Sequence, residues 1–221
     1  MPGWLPPESK LPSNQAIGRA FDARGADWRE LDLGATDLTE ARLCRVDLRG
    51  TNLSRCTLDG ADLRLARYDG MTIWPDNYEF RGSGAVGPKA KLSGHFLNSA
   101  DLSGMDLSGS LLMGAYLSGA DLSGACLRGV RLAGADLRHA VLRGALCEGV
   151  RFSGCQLDYA DFRGANLTDA DLSAAESIRG SDFTSSSGLD SIRETLIGRP
   201  FQELDCWNPL TRRTTRDSLM T

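Results

Sequence analysis

The side chains that could carry out acid–base or metal chemistry are few and spread along the chain. The 221 residues include two histidines, His95 and His139, and six cysteines without a CxxC spacing. An active site needs a nucleophile, a base or a metal brought into one pocket, and a zinc site needs closely spaced cysteines or histidines. The sequence therefore predicts neither an enzyme nor a metal site, and it implies no cofactor.

Aspartate is the one charged residue with a regular spacing, and it belongs to a repeat of five residues. In sixteen units centred from Leu97 to Leu172, the central residue, position i, is Leu in thirteen, and residue i−2 is Ala in ten. A helix needs apolar residues every three or four positions and a half-buried strand every two, so neither fits this period. The repeat predicts a solenoid in which each unit supplies one short segment and one turn.

The tandem pattern A(D/N)LxG resembles the pentapeptide-repeat family. The resemblance implies an all-β solenoid, a right-handed quadrilateral β-helix with four units, or twenty residues, in each coil. Positions i and i−2 would point inward, which places Cys56, Cys147 and Cys155 inside. Gly at i+2, present in eleven of the sixteen units, would serve the corner, where a positive φ is favourable for glycine.

The repeats and their interruptions predict five segments. These are a leader and N-terminal cap at 1–25, a first repeat block at 26–73, an interrupting loop at 74–91, a second repeat block at 92–184, and a C-terminal helix and tail at 185–221. Residues 14–21 could form a short helix or the first cap. The interruption could be a distorted coil or a loop that leaves the wall. Its aromatic residues Trp74, Tyr78 and Phe80 either fold back as an apolar plug or protrude toward a partner.

A short helix is predicted after the last repeats. Ser191 and Glu194 have the spacing of a capping box, and an apolar face is shared by Leu189, Ile192 and Leu196. That face must be buried, either against the last coil as a cap or against a second copy in a homodimer, as C-terminal modules do in several members of the family. Residues 201–221 are predicted to be a tail.

Residues twenty apart in sequence would be neighbours on the surface of such a coil. One outward column contains Asp101, Asp121 and Asp161, interrupted by Val141. A candidate apolar contact patch near its start contains Phe96, Leu111, Met113 and Tyr116. A cluster of exposed apolar residues marks a contact surface more reliably than single ones do. The alternative is that the interruption covers this patch.

Charge and hydropathy restrict the class of partner. The formal net charge is −4 and the pI is about 5.3, whereas a nucleic-acid-binding domain is normally basic. There is no apolar run of eighteen residues and no export signal at the N-terminus, so we expect neither a membrane span nor secretion. The sequence predicts a cytoplasmic protein that does not bind nucleic acid directly.

Two hypotheses for the function of the chain follow from these features. The resemblance implies a DNA mimic that binds DNA gyrase or topoisomerase IV and protects it from topoisomerase poisons, as the best-understood bacterial members of the family do. The acidic column, the apolar patch and the 74–91 segment would then supply the contacts. The second hypothesis is a general protein-interaction scaffold with an unknown partner. Duplex DNA carries about one negative charge per 1.7 Å. The arginines at i+1 reduce the net negative charge along the acidic columns of this chain, which argues against close imitation of DNA.

The period of five makes a direct prediction about two adjacent residues. Leu122→Asp places a charge in the centre of a coil and should destabilise the protein by several kcal/mol, because a buried unpaired charge has no compensation there. Ser123→Asp, one residue further on, should be nearly silent. Thermal melting of both variants tests this register, which would be refuted if both substitutions were harmless.

Overall fold

The computed structural model describes residues 21–221, which divide into two compact units, 21–90 and 91–221. Residues 1–20 of the leader and cap predicted at 1–25 lie outside this range, and so does the helix or cap predicted at 14–21 except for its last residue, whereas Asp22 already pairs with Arg42 in the ladder. Within residues 21–221, no helix is long and apolar enough to cross a membrane.

The second unit is built from parallel backbone bridges that repeat on four faces. The first coil pairs Lys91 with Leu111, Phe96 with Tyr116, Asp101 with Asp121, and Asp106 with Cys126. The ladder continues in steps of twenty residues until its last three bridges, which have a step of 21 and end at Asn166 with Ser187. We call the column Phe96, Tyr116, Asp136, Gln156 the aromatic face, and the column Asp101, Asp121, Val141, Asp161 the acidic face.

The interior of each coil is filled by the residues at i and i−2. Leu122 and Ala120 are both fully buried, whereas Ser123 is half-buried. The backbone N–H of Leu122 donates to the carbonyl of Val141 at 2.7 Å, in the next coil. The predicted register is therefore confirmed, and the backbone groups of one coil find their partners in the next.

The corners require a left-handed backbone at i+2. Gly124 has a φ of 65°, and nothing lies within 4 Å of where its Cβ would be, so the backbone angle alone favours glycine there. Other residues adopt the same angle at a cost: His139 and Tyr159 both have a φ of 59°. Their rings stack with centroids 5.1 Å apart. The predicted role of glycine at the corners is confirmed.

The first unit has the same ladder until the interruption. Its bridges run from Asp22 with Arg42 to Asn52 with Ile73, and a later bridge joins Arg67 to Val86. Between Ile73 and Val86 the chain forms turns and a 3₁₀ helix at Phe80–Gly82. The segment therefore leaves the wall after Ile73 and rejoins it near residue 84, where the N–H of Leu65 donates to the carbonyl of Gly84 at 2.9 Å.

The C-terminal region is a folded module with three short helices and a hairpin. The helices are α1 (Arg193–Ile197), α2 (Phe201–Leu204) and α3 (Thr215–Leu219), and the strands β1 (Trp207–Asn208) and β2 (Arg213–Thr214) pair antiparallel. The prediction of a tail at 201–221 was wrong. Each element here has only two to five residues, which is too short for a period in the sequence to reveal it.

The capping box was also a wrong prediction. The N-cap of α1 is Ile192 and has no side-chain hydrogen bond. The N–H groups of Ile192 and Arg193 both donate to the carbonyl of Leu189, so a turn precedes the helix and takes up the positions around Ser191. Of the predicted apolar face, Leu189 and Leu196 are buried and Ile192 is half-buried.

The module covers the end of the last coil through polar contacts. Arg199 donates to the carbonyls of Ala175 (3.1 Å) and Glu176 (3.3 Å), and pairs with Glu203 at 2.9 Å. Glu203 in turn accepts the N–H of Ile178 at 3.1 Å. Arg199 and Glu203 thus make hydrogen bonds to backbone groups of the last coil, for which no further coil supplies a partner. The module thus caps the coil within one chain, while the homodimer stays a prediction.

The contacts of Arg199 predict that its replacement destabilises the protein. Arg199→Met should lower the free energy of unfolding by about 2 to 4 kcal/mol, because it leaves Glu203 and two backbone carbonyls without their cation. The matched control is Arg212→Met, since Arg212 is an exposed arginine of the same module. Urea denaturation measures both; equal effects of the two substitutions would contradict the capping role of Arg199.

Candidate interaction surface

The aspartates of the repeat have a structural function in addition to their charge. In the units that have Asp or Asn at i−1, Oδ1 of this side chain accepts the backbone N–H of residue i+1, which is an Asx turn. This bond is made at Asp22, Asp27, Asp32, Asp37, Asp47, Asn52, Asp62, Asp101, Asp106, Asp121, Asp136, Asp161, Asn166, Asp171 and Asp182. The bond explains why the repeat prefers Asp or Asn at this position.

Arginine at i+1 neutralises the aspartate of its own unit. In the pair Asp27–Arg29, the guanidinium lies 2.6 Å from the carboxylate, and its hydrogen bonds lower the pKa of Asp27 to about 2. The same pairing joins Asp22–Arg24, Asp47–Arg49, Asp62–Arg64, Asp136–Arg138 and Asp161–Arg163. The negative charge of these aspartates is therefore largely neutralised within their own units. The reduction of acidic charge by arginine that the sequence predicts takes the form of direct ion pairs.

The predicted acidic column is present, but its three aspartates differ. Asp101 is exposed and Asp121 half-buried, and they are bridged neighbours on the acidic face. Asp161 is only 6% exposed. Its carboxylate lies 2.5 Å from Arg143 and 2.7 Å from Arg163. Burial raises the pKa of Asp161, but the hydrogen bonds from both arginines outweigh it and hold that pKa below its usual value.

Asp161 was therefore predicted wrongly as an open, outward carboxylate. The register placed it correctly on the acidic face, but the period of five does not indicate that Arg143, from the unit centred on Leu142, reaches it. Asp101 is exposed on the acidic face, Asp121 is half-buried there, and Asp106 is exposed on the next face.

The predicted apolar patch is brought together on the same coils. Phe96 and Tyr116 stack with ring centroids 4.8 Å apart and an interplanar angle of 11°. Phe96 is 77% exposed and Tyr116 44%. Met113 is exposed and Leu111 half-buried on the preceding face. We call the surface formed by Phe96, Tyr116, Asp101 and Asp121 the aromatic–acidic corner.

The aromatic residues of the interruption form a cluster within the first unit. The Trp74 ring stacks on Phe80 at 4.9 Å and on Tyr78 at 5.8 Å, and the buried Tyr68 meets Trp74 and Phe80 edge to face. Trp74, Tyr78 and Phe80 are all half-buried. This arrangement is the plug rather than the protruding loop: Trp74 and Phe80 pack on Tyr68, and Tyr78 packs on Trp74.

The groups that could do other chemistry remain dispersed. Among residues 21–221, no three His, Cys, Asp or Glu side chains are arranged to hold a metal ion. Cys56, Cys147 and Cys155 are buried, as predicted. Burial raises the pKa of the Cys147 thiol to about 12 and that of Cys155 to about 11, so neither is a reactive thiolate at neutral pH.

The repeats match a known family. The model for pentapeptide repeats matches residues 26–64, 97–134 and 135–173 with eight copies, which together are more than half of the chain. The chain belongs to the pentapeptide-repeat family. Proteins of this family are right-handed quadrilateral β-helices, generally without enzymatic activity, and they mediate protein interactions. A search of curated protein sequences found no match.

Several solved structures share the repeat. A pentapeptide repeat protein from the thylakoid lumen of Arabidopsis thaliana is 32% identical, with a TM-score of 0.42, over 59% of this chain and 87% of that one. HetL, involved in heterocyst differentiation regulation in the cyanobacterium Nostoc, is 24% identical, with a TM-score of 0.28, over 76% and 90%. QnrB1, a plasmid-mediated fluoroquinolone resistance protein, is 21% identical, with a TM-score of 0.35, over 72% and 80%. Family membership rests on the repeat match, since all three TM-scores are below 0.5.

The Asx turns predict that an aspartate of the repeat can lose its charge but not its acceptor oxygen. Asp171 accepts the N–H and the hydroxyl of Ser173 at 3.0 and 2.6 Å. Asp171→Ala should cost about 0.5 to 1.5 kcal/mol of stability, whereas Asp171→Asn keeps the acceptor and should cost much less at neutral pH. Thermal melting compares the two, and equal losses would contradict the turn-holding role.

Proposed function

We propose that the chain is a non-catalytic protein-binding β-helix that binds its partner through the aromatic–acidic corner. The observation that carries this proposal is the exposed, stacked pair Phe96 and Tyr116 beside the bridged pair Asp101 and Asp121. Each pair occupies the same two coils, on neighbouring faces.

The aromatic pair supplies the apolar part of the contact. Aromatic side chains bury 150–250 Å² each and dominate interface energetics, and Tyr is enriched among the residues that carry most of the binding energy. The coil holds both rings from a rigid backbone ladder: the N–H of Tyr116 donates to the carbonyl of His95 at 2.9 Å. Little conformational entropy is therefore lost when a partner covers them.

The carboxylates select the charge of the partner. Asp101 and Asp121 flank the rings on one side, and Asp106 on the first of these coils extends the negative charge to the next face. Complementary charges at the rim of an interface steer association and fix its register. The partner surface that fits the corner is therefore apolar at its centre and basic at its edge.

The basic DNA-binding surface of DNA gyrase or topoisomerase IV is the candidate of this kind that the family resemblance suggests. Duplex DNA carries about three negative charges over the height of one coil, roughly 4.8 Å. The first two coils present Asp101 and Asp106, then Asp121. This density is about half that of DNA or less, so the corner fits a basic protein surface in general better than it imitates a duplex.

A gyrase supercoiling assay, with and without a fluoroquinolone, tests the topoisomerase candidate. Wild-type protein should bind gyrase at low salt and change supercoiling or poison sensitivity. Phe96→Ser with Tyr116→Ser should weaken binding at all salt concentrations. Asp101→Asn with Asp121→Asn should weaken it mainly at low salt, because the Asx acceptors are kept and only the charge is lost.

The matched control is Leu146→Ser, a half-buried outward residue on the face that carries Asp106. It should leave gyrase binding unchanged. Wild-type protein that neither binds gyrase at low salt nor shifts supercoiling would exclude the topoisomerase candidate and leave a basic protein of another class as the partner.

A further inference from the structure

The C-terminal hairpin exposes apolar and basic side chains that the fold does not use. Trp207 is 56% exposed and Leu210 is 77% exposed, and Arg212 and Arg213 beside them are also exposed. We call these four residues the hairpin tip. Large apolar side chains gathered in so short a segment mark a contact surface rather than a random part of the exterior.

The backbone beneath the tip is held by a buried residue. Asn208 is 1% exposed, and its amide donates to the carbonyl of Gly180 at 2.8 Å. Its side-chain oxygen accepts the N–H groups of Leu210 (2.9 Å) and Thr211 (3.3 Å), and its carbonyl accepts the N–H of Arg212 at 2.8 Å. The conformation of the tip thus depends on Asn208, and the exposed side chains remain available for binding.

The tip carries positive charge that residues 21–221 do not neutralise. Within residues 21–221, the guanidinium groups of Arg212 and Arg213 make no ion pair, whereas the neighbouring Arg216 pairs with Asp205. Arg212 also adopts a left-handed φ of 59°, an angle that glycine or asparagine adopts at lower cost. Apolar side chains next to unneutralised arginines fit a surface that is apolar and acidic.

The chain itself contains such a surface, in the same unit. We propose that the hairpin tip binds the aromatic–acidic corner of a second copy of this chain. Trp207 and Leu210 would pack on Phe96 and Tyr116, while Arg212 and Arg213 approach Asp101 and Asp121. This inference rests on the proposed function of the corner and identifies a competing occupant for it.

The contact joins two different surfaces of the chain. A single contact between two copies leaves one tip and one corner free. These either meet within the same pair, which closes a two-fold dimer, or bind further copies, so that association continues with concentration. A copy whose corner is occupied in this way cannot offer that corner to another partner.

Charge reversal separates this contact from any other association. The first variant carries Arg212→Glu with Arg213→Glu, and the second carries Asp101→Lys with Asp121→Lys. Each variant alone brings like charges together and should remain monomeric from micromolar to millimolar concentration in sedimentation velocity. The 1:1 mixture restores opposite charges in both contacts and should associate, as should the wild-type chain at low salt.

Two controls distinguish loss of the contact from misfolding of a variant. Melting temperatures show whether each variant is folded, and Asp101→Asn with Asp121→Asn removes charge while it keeps the Asx acceptors. This second pair should reduce self-association at least tenfold at low salt and have little effect at 0.5 M salt, where exposed charges are screened. Trp207→Ser should reduce self-association at both salt concentrations.

Three results would overturn the proposal: a wild-type chain that is monomeric at millimolar concentration and low salt, a tip variant that associates as strongly as wild type, or a mixture that stays monomeric. Failure of the proposed function is seen separately. The tip variant keeps an intact corner, so loss of self-association with retained binding of a basic partner supports both inferences. Self-association without binding of a basic partner would contradict the proposed function and leave the contact between tip and corner supported.

Discussion

The backbone hydrogen bond between coils is the interaction on which the rest of this structure depends. The N–H at position i donates to a carbonyl nineteen residues later, as from Leu102 to Asp121 at 2.8 Å. This bond aligns successive coils, most of which contain twenty residues, while the last bridges, such as Asn166 with Ser187, accommodate one more residue. The central leucines then stack and fill the interior of the described coils. The same bond aligns the outward side chains into the columns that the proposed function uses.

The aspartates of the repeat have two roles: they accept hydrogen bonds at the corners, and they place charge on the surface. Their acceptor oxygens hold the corners, and Asn52 and Asn166 do this equally well, so the turn requires no charge. Charge becomes available to a partner only where no arginine neutralises it. In units such as Asp136–Arg138 the ion pair is internal, and at Asp161 two arginines and burial hide the carboxylate. Counting aspartates in the sequence therefore overestimates the acidic surface.

The sequence predicts most of the repeat region because one rule is repeated many times. The inward position of Leu122, the columns that join Asp101 to Asp121 and Phe96 to Tyr116, and the left-handed corners all follow from the period of five. The interruption was predicted as a break, but its path was not, since the packing of Trp74 on Phe80 has no periodic signal. In the C-terminal module, the first helix was predicted, at α1, whereas α2, α3 and the hairpin were missed for the same reason. Their positions depend on single contacts, such as those of Arg199 and Asn208.

The central claim is that the aromatic–acidic corner, rather than another face of the coil, contacts a protein partner. Site-specific photo-crosslinking measures this most directly, with benzoylphenylalanine in place of Phe96 and, as the control, in place of Leu146 on the face that carries Asp106. We predict a discrete protein adduct from position 96 that disappears when Asp101→Asn and Asp121→Asn are added, and no such adduct from position 146. Equal adducts from both positions, or an adduct at 96 that is insensitive to the two aspartates, would contradict the account.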